Sequence, residues 1–298
     1  MSRAGGMVFL NDKLVPAEEA AVSVFDRGFL YGDGLFETMR AYNGHVFLLK
    51  EHLQRLEDGA VALSLPLPWT REDFKEIITA TLAANHLGPD CGQDAVVRVA
   101  VSRGWVEFGA ELAMPVTPTL VVSVRPLPPA PGTLAPGGLR LTVSSVRRNP
   151  LQATSPLYKT ANFLNNVLAR IEAGKKGFDD ALMLNMEGRL TEATTSNLFL
   201  GKKGVLYTPP VTEGLLPGTM RALLLQLAAR AGIEIKEEPL SLQNLAEAEE
   251  IFLSNSVREI IPVAEVDGRT YEAPGPFARK LYEALRQEIA AFRRENSR

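Results

Sequence analysis

The sequence predicts a two-domain α/β (α+β) protein, with a small N-terminal domain over residues 1–125, a proline-rich linker over 126–136 and a larger C-terminal domain over 137–298. Three observations carry this. Short apolar runs of strand length alternate with helix-length amphipathic stretches along the chain. A length of 298 residues exceeds what one small core organises and suits two modest domains. Pro126, Pro128, Pro129 and Pro131 precede Gly132, and such a run continues neither helix nor sheet.

Composition narrows the class. With 46% hydrophobic and 22% charged residues the chain is ordinary for a soluble globular protein. A net charge of −3 gives no nucleic-acid footprint. Cys91 is the only cysteine, and His45, His52 and His86 form no metal-ligand spacing, so no metal site is expected. No apolar run is long enough to span a bilayer, and Met1 to Gly6 lacks the apolar core of a signal peptide. The expectation is a cytoplasmic enzyme acting on small molecules, without nucleic acid or membrane.

Taken in order, Met7–Leu10 and Leu14–Val15 read as strands about a turn, and Ala21–Phe25 as a further short apolar run. Asp26 to Arg40 opens with Gly28, Gly32 and Gly34, which predict a loop of unusual backbone angles leading into a strand over Leu35–Tyr42. Asn43-Gly44 is a hairpin signal. Helices follow over about Lys50–Leu63, where His52 and Arg55 lie one turn apart, and from Thr70 to about Ala84, with Asp73 completing a capping box. Ala95–Val101 and Thr119–Val124 are strands, the first ending at Arg103.

After the linker, Leu139–Ser145 is a strand. Lys159 stands just before an amphipathic helix whose apolar positions are Leu164, Val167, Leu168 and Ile171. Its neighbours are small or apolar, and a desolvated lysine becomes a usable amine nucleophile or base. Asp180–Leu184 is a strand; Glu192 lies among small hydroxyl residues; Asn197–Leu200 and Val205–Thr208 form a hairpin. Pro217-Gly218-Thr219-Met220 opens a helix to Ala231 whose N-terminal N–H groups suit an anion. Ile233–Glu237 is a strand, Ser241 caps a short helix, and Glu250–Leu253 is a strand ending in Asn255-Ser256, where a backbone nest and a hydroxyl could meet the same anion. A loop over Arg269–Pro276 and a helix over about Phe277–Arg293 close the chain.

An amine, a buried-type carboxylate and three candidate phosphate grips, at Arg55, at Gly218-Thr219-Met220 and at Asn255-Ser256, suit a phosphorylated aldehyde with a ring nitrogen: pyridoxal 5′-phosphate. Five blocks in order carry a resemblance to the fold-type IV (class IV) pyridoxal-phosphate enzymes, which include branched-chain and D-amino acid aminotransferases, (R)-amine transaminases and aminodeoxychorismate lyases. They are Arg27 to Arg40; His52 to Leu56; Lys159 with Asn162 and Leu168-Ala169-Arg170; Leu190 to Phe199; and Gly214 to Arg221 followed by Asn255-Ser256. The resemblance implies two α/β domains with the cofactor in the cleft between them, and a homodimer. It makes Lys159 the imine-forming lysine and catalytic base, and Glu192 the partner of the pyridine nitrogen. Arg55, the backbone of Thr219 and Met220, and Asn255 with Ser256 would hold the phosphate. Thr38 is a catalytic candidate, and Phe36 and Arg103 are substrate-binding candidates.

Within the family the residues fork. Leu164 stands where branched-chain enzymes carry tyrosine, and Ser254-Asn255-Ser256 where they carry a Gly-Thr-Ala-like turn. Phe36-Glu37-Thr38 and Asn255 to Ile260 look most like the lyases, while Arg40-Ala41-Tyr42-Asn43-Gly44 suits aminotransferases. Val106-Glu107-Phe108 replaces a second arginine found after Arg103 in some members. The expected activity is amino transfer between an amino acid or amine and a 2-oxo acid. Aminodeoxychorismate lyase is the alternative, and a silent pyridoxal-phosphate-binding protein the third reading.

Overall fold

The structure, a computed structural model, describes residues 5–105, 117–128, 133–134 and 136–296. The Val106-Glu107-Phe108 segment and linker positions 129–132 and 135 lie outside the described residues. The chain forms two compact units. The first comprises Met1–Pro129, Tyr158–Asn162 and Ala291–Arg298; the second comprises Ala130–Leu157 and Phe163–Ala290.

The first unit holds β1 (Met7–Leu10), β2 (Lys13–Pro16), α1 (Arg27–Tyr31), β3 (Gly34–Tyr42), β4 (His45–Val46), α2 (Leu49–Ala62), α3 (Arg71–Ala84), β5 (Asp94–Ser102) and β6 (Thr119–Leu127). Its strands make one antiparallel sheet in the order β2-β1-β6-β5-β3-β4. Leu53, Leu56 and Ala60 of α2 and Phe74, Ile78 and Leu82 of α3 pack with Leu35, Met39, Val97 and Val99 of the sheet into one apolar core. The Thr70–Asp73 capping box is formed in both directions.

Three expectations change here. The glycine-rich stretch after Asp26 contains a helix, because the Asp26 carboxylate accepts the Gly28 N–H at 2.7 Å and Gly32 closes the turn at φ +67°. Ala21–Phe25 forms no strand, and Val22, Val24 and Phe25 are exposed. Pro126 lies within β6 opposite Ala95. The missing N–H is tolerated there because the pairing of β1 with β6 is confined to Val121 and Val122.

The second unit contains β7 (Leu139–Val143), α4 (Leu164–Lys175), β8 (Asp180–Leu184), β9 (Leu190–Ala193), β10 (Asn197–Lys202), β11 (Val205–Thr208), α5 (Thr219–Arg230), β12 (Ile235–Glu237), α6 (Leu242–Glu247), β13 (Glu250–Asn255), β14 (Glu259–Val266), β15 (Arg269–Thr270) and most of α7 (Pro276–Asn296). The strand order is β12-β11-β10-β13-β14-β7-β8-β9, and β9 also pairs with β10 through Glu192 and Asn197. That last pair closes six strands into a ring around Leu141, Leu182, Leu184, Leu190, Leu198, Leu253 and Val263. β14 completes the ring and has no counterpart among the expected strands.

Helix α4 turns its apolar row away from the sheet, with Leu164, Val167, Leu168 and Ile171 at 66%, 39%, 46% and 48% exposure. The covered face carries Asn166, Ala169 and Ala173, small or polar residues that let the helix approach β8 closely.

Candidate active site

In the first unit the site is built on β3 and a short segment that reaches it from far along the chain. The Phe36 N–H donates to the Lys159 carbonyl at 3.0 Å, and the Ala161 N–H donates to the Gly34 carbonyl at 2.8 Å. Leu35 and Thr160 thus pair as an antiparallel bridge. Asn162 adds a bond from its Nδ2 to the Gly32 carbonyl at 2.9 Å. Lys159 therefore lies ahead of α4, as expected, on an extended segment clamped to a strand. Its Nζ is 4.3 Å from the centroid of the Phe36 ring.

Phe36 serves a second cation. The Arg98 guanidinium, from the neighbouring strand β5, lies 4.0 Å from the same ring centroid, and its Nη1 donates a long bond to Thr38 Oγ1 at 3.4 Å. Among the described residues no carboxylate pairs with Arg98. Sequence reasoning missed it, although an arginine inside the apolar run Ala95–Val101 is a visible irregularity.

On the other side of β3, Glu37 is fully buried. Arg55 of α2 donates from Nε to Oε1 at 2.8 Å and from Nη2 to Oε2 at 2.7 Å, and His52 Nδ1 meets Oε2 at 2.7 Å. Burial alone would raise the Glu37 carboxyl, but Arg55 and His52 outweigh it and hold its pKa at about 2. Burial lowers the His52 pKa against the pull of Glu37, so the imidazole is neutral with its proton on Nδ1.

Arg103, expected at the substrate, is committed elsewhere. It grips Asp33 through Nε at 2.8 Å and Nη2 at 3.2 Å, and donates to the carbonyls of Ser64 at 2.7 Å and Leu63 at 2.8 Å. It thereby satisfies the carbonyls of Leu63 and Ser64, just past the end of α2.

In the second unit, Glu192 is on β9 at the pair that closes the ring. Its Oε1 accepts from Arg148 Nε at 3.0 Å and its Oε2 from Asn197 Nδ2 at 3.2 Å. Arg148 is oriented in turn by Asn165 Oδ1 at 3.2 Å and Asn166 Oδ1 at 3.1 Å. Arg148 and Asn166 were not singled out from sequence; a buried carboxylate in a closed sheet requires such partners.

Asn197 ties this carboxylate to the start of α5, donating to the Leu216 carbonyl at 2.8 Å. Gly218 is the N-cap, and a Cβ there would stand 2.0 Å from Asn197 Oδ1. Glycine is required for that close approach. The first-turn N–H groups of Thr219 and Met220 point along the axis toward the N-terminus, where the helix dipole favours an anion. Ser256 joins them, its Oγ 3.3 Å from Thr219 Oγ1. The Asn255 side chain is occupied by its own loop and by Ser196 of the β9–β10 turn. Its Oδ1 accepts the N–H groups of Val257 at 3.0 Å and Arg258 at 2.7 Å, and its Nδ2 donates to Ser196 Oγ at 2.9 Å. It thereby shapes the loop that presents Ser256.

The donor set fits pyridoxal 5′-phosphate. In the first unit, an amine over an aromatic ring suits its aldehyde; in the second, taken by itself, a buried carboxylate held by Arg148 suits a protonated ring nitrogen, and a glycine-capped helix start beside a hydroxyl suits its phosphate.

Comparison with known proteins agrees. The family model described as amino-transferase class IV matches residues 34–266. A Methanocaldococcus jannaschii protein named "Putative branched-chain-amino-acid aminotransferase" is 41% identical over 94% of this chain and 95% of its own. The D-alanine aminotransferase of Bacillus licheniformis is 29% identical over 95% of this chain and 96% of its own. The crystal structure of Escherichia coli branched-chain amino acid aminotransferase superposes with a TM-score of 0.87 at 29% identity, covering 95% of this chain and 94% of that one. A T.th. branched-chain amino acid aminotransferase solved with pyridoxamine 5′-phosphate superposes with a TM-score of 0.86 at 28% identity, covering 98% of this chain and 96% of that one. The chain belongs to the class IV aminotransferases, enzymes of fold type IV that use pyridoxal 5′-phosphate.

Proposed function

We propose that this aminotransferase moves an amino group between a branched-chain-type amino acid and a 2-oxo acid. The observation that carries the reading is the pairing of the lysine segment with β3, which brings Lys159 and Arg98 to one aromatic ring. An amine base and a guanidinium suited to a carboxylate are what an amino acid substrate needs at its α-carbon and at its acid group. The identity to a protein named as a branched-chain enzyme supports that donor class.

Bound pyridoxal 5′-phosphate supplies an aldehyde that condenses with amines and a ring that accepts the electron pair left when the Cα–H bond breaks. The residues do the rest. Lys159 Nζ takes the Cα proton of the donor. Phe36, with its face toward that amine, excludes water and limits the amine's freedom. Glu192 keeps a proton on the ring nitrogen, and Arg148 and Asn197 keep its carboxylate aimed. Arg55, the amides of Thr219 and Met220, and the Ser256 hydroxyl bind the phosphate, with Asn255 shaping their loop. Thr38 orients Arg98, which takes over the carboxylate role that Arg103 gives up to Asp33. The exposed apolar row of α4 supports a second copy of the chain as partner, and light scattering in solution tests the homodimer. The cytoplasm is the proposed compartment, tested by cell fractionation.

The test is a substrate panel. L-leucine with 2-oxoglutarate is expected to give glutamate at a higher kcat/KM than D-alanine or (R)-1-phenylethylamine, and Lys159→Ala is expected to abolish turnover and the borohydride-reducible link to the cofactor. Release of aminobenzoate from aminodeoxychorismate without amino transfer would overturn the proposal.

A further inference from the structure

Residues on β3 alternate between two environments. Phe36 and Thr38 face one way, while Leu35, Glu37 and Met39 face the apolar core under α2. A carboxylate at 0% exposure among those side chains is an unfavourable choice for stability, because a buried ion pair rarely outperforms well-packed apolar residues of similar volume. Its geometry suggests another reason for its presence. Arg55 meets Glu37 side-on, through Nε at 2.8 Å and Nη2 at 2.7 Å, which fixes both the position and the plane of the guanidinium. The Nη1 edge is consequently turned away from the carboxylate. His52, one turn earlier on α2, donates from Nδ1 to Oε2 at 2.7 Å and stops the carboxylate from rotating.

We propose that Glu37 and His52 are positioning residues that lock the Arg55 guanidinium in the orientation that receives a phosphate monoester. The proposal rests on the assignment of Arg55 as a phosphate grip in the preceding subsection. An arginine on a flexible stem surrenders rotamer freedom when it binds an anion; one anchored side-on by a buried carboxylate has lost that freedom already, during folding. The His52–Glu37–Arg55 chain is therefore preorganisation built into the core, and it acts on the cofactor only through Arg55.

Calorimetric titration of the full-length apoprotein with pyridoxal 5′-phosphate, pyridoxal and inorganic phosphate tests this in the wild type, Glu37→Gln, Arg55→Met and the double variant. Glu37→Gln is expected to weaken both phosphate-bearing probes by about 10- to 100-fold, the scale of a lost charge-assisted bond or an orienting partner. Pyridoxal binding should stay within about twofold, since nothing in the triad addresses the ring. The double variant should bind no more weakly than Arg55→Met, because a residue that acts through another adds nothing once that other is gone. Unchanged phosphate binding in Glu37→Gln, an equal loss for pyridoxal, or full additivity in the double variant would each overturn the proposal. If Arg55→Met itself binds phosphate normally, the assignment of Arg55 falls first and the proposal with it. Should Glu37→Gln fail to fold, His52→Gln is read instead: a loss of about 3- to 10-fold confined to the phosphate-bearing probes is expected from one neutral-donor bond, and its absence overturns the idea.

Discussion

Gly32→Ala is a sharp probe of how Lys159 is held. Gly32 adopts φ +67°, and a residue with a Cβ occupies that region at a cost of about 1–2 kcal/mol. The added methyl would also stand 2.8 Å from Asn162 Oδ1 and 3.2 Å from its Cγ. Relief requires Asn162 to swing away from the Gly32 carbonyl, forfeiting a bond of about 1 kcal/mol. The sum is about 2–3 kcal/mol. Guanidinium unfolding of the wild type, Gly32→Ala, Asn162→Ala and the double variant separates the two parts. In the Asn162→Ala background only the backbone part should remain, leaving a coupling of about 1 kcal/mol. Because Asn162 ends the lysine segment, kcat should fall on the order of tenfold to 100-fold, as misplacement by about 1 Å can cause. An equal cost in both backgrounds, or none in either, would refute the claim that this contact clamps the segment.

Two further outcomes are expected. Arg98→Gln should raise KM for the 2-oxo acid by about 10- to 100-fold with little change in unfolding midpoint, since its guanidinium is charged, exposed and without a carboxylate partner among the described residues; initial-rate kinetics at varied acceptor decide it. Acid should weaken the first unit in two stages. His52 is held neutral by burial, with its pKa below the usual 6.5, so under that pH the unfolded chain takes up a proton the folded chain refuses, and stability falls. Glu37, held at about 2 instead of 4.5, contributes stability above 4.5 that is lost as the pH drops toward 2. The second stage amounts to about 3 kcal/mol. Denaturant midpoints from pH 8 to pH 3 should show His52→Gln flattening the upper stage and Glu37→Gln the lower; unaltered profiles in both would refute the assignment.

Much of the fold was legible because its signals are local. The capping box at Thr70, the Ser241 cap, the glycine cap of α5 and the hairpin of β10 and β11 all lie within a few residues of the elements they define. The failures share a physical origin in tertiary choice. Periodicity finds the apolar row of α4 but does not say which face the sheet covers, and here it covers Asn166, Ala169 and Ala173. Lys159 reads correctly as lying just before α4, but its pairing with β3 is invisible locally because its strand partner, Phe36, lies more than a hundred positions earlier. Arg55 is legible as a cation on α2, but the carboxylate that fixes it is on β3 and shows only as a charge at a core-facing position. Arg103 is legible as a charge after a strand, yet Asp33 and the end of α2 claim it.

The first unit is discontinuous in sequence, and that sets a schedule for its synthesis. Phe292 packs edge-on against Phe47 with ring centroids 5.1 Å apart, and Arg293 binds Asp94 at 2.8 Å across a separation of 199 residues. At ribosomal speeds of about 5–20 residues per second, roughly 10–30 s pass between the emergence of β6 and that of the last turn of α7. Until the lysine segment emerges and docks, the nascent sheet lacks it, and the edge of β3 at Gly34–Phe36 has its backbone groups open to any passing strand. The segment that carries Lys159 is thus also the guard of an aggregation-prone edge, and a chaperone that shields nascent β-edges would be expected to matter more for the yield of this enzyme than its modest core would suggest.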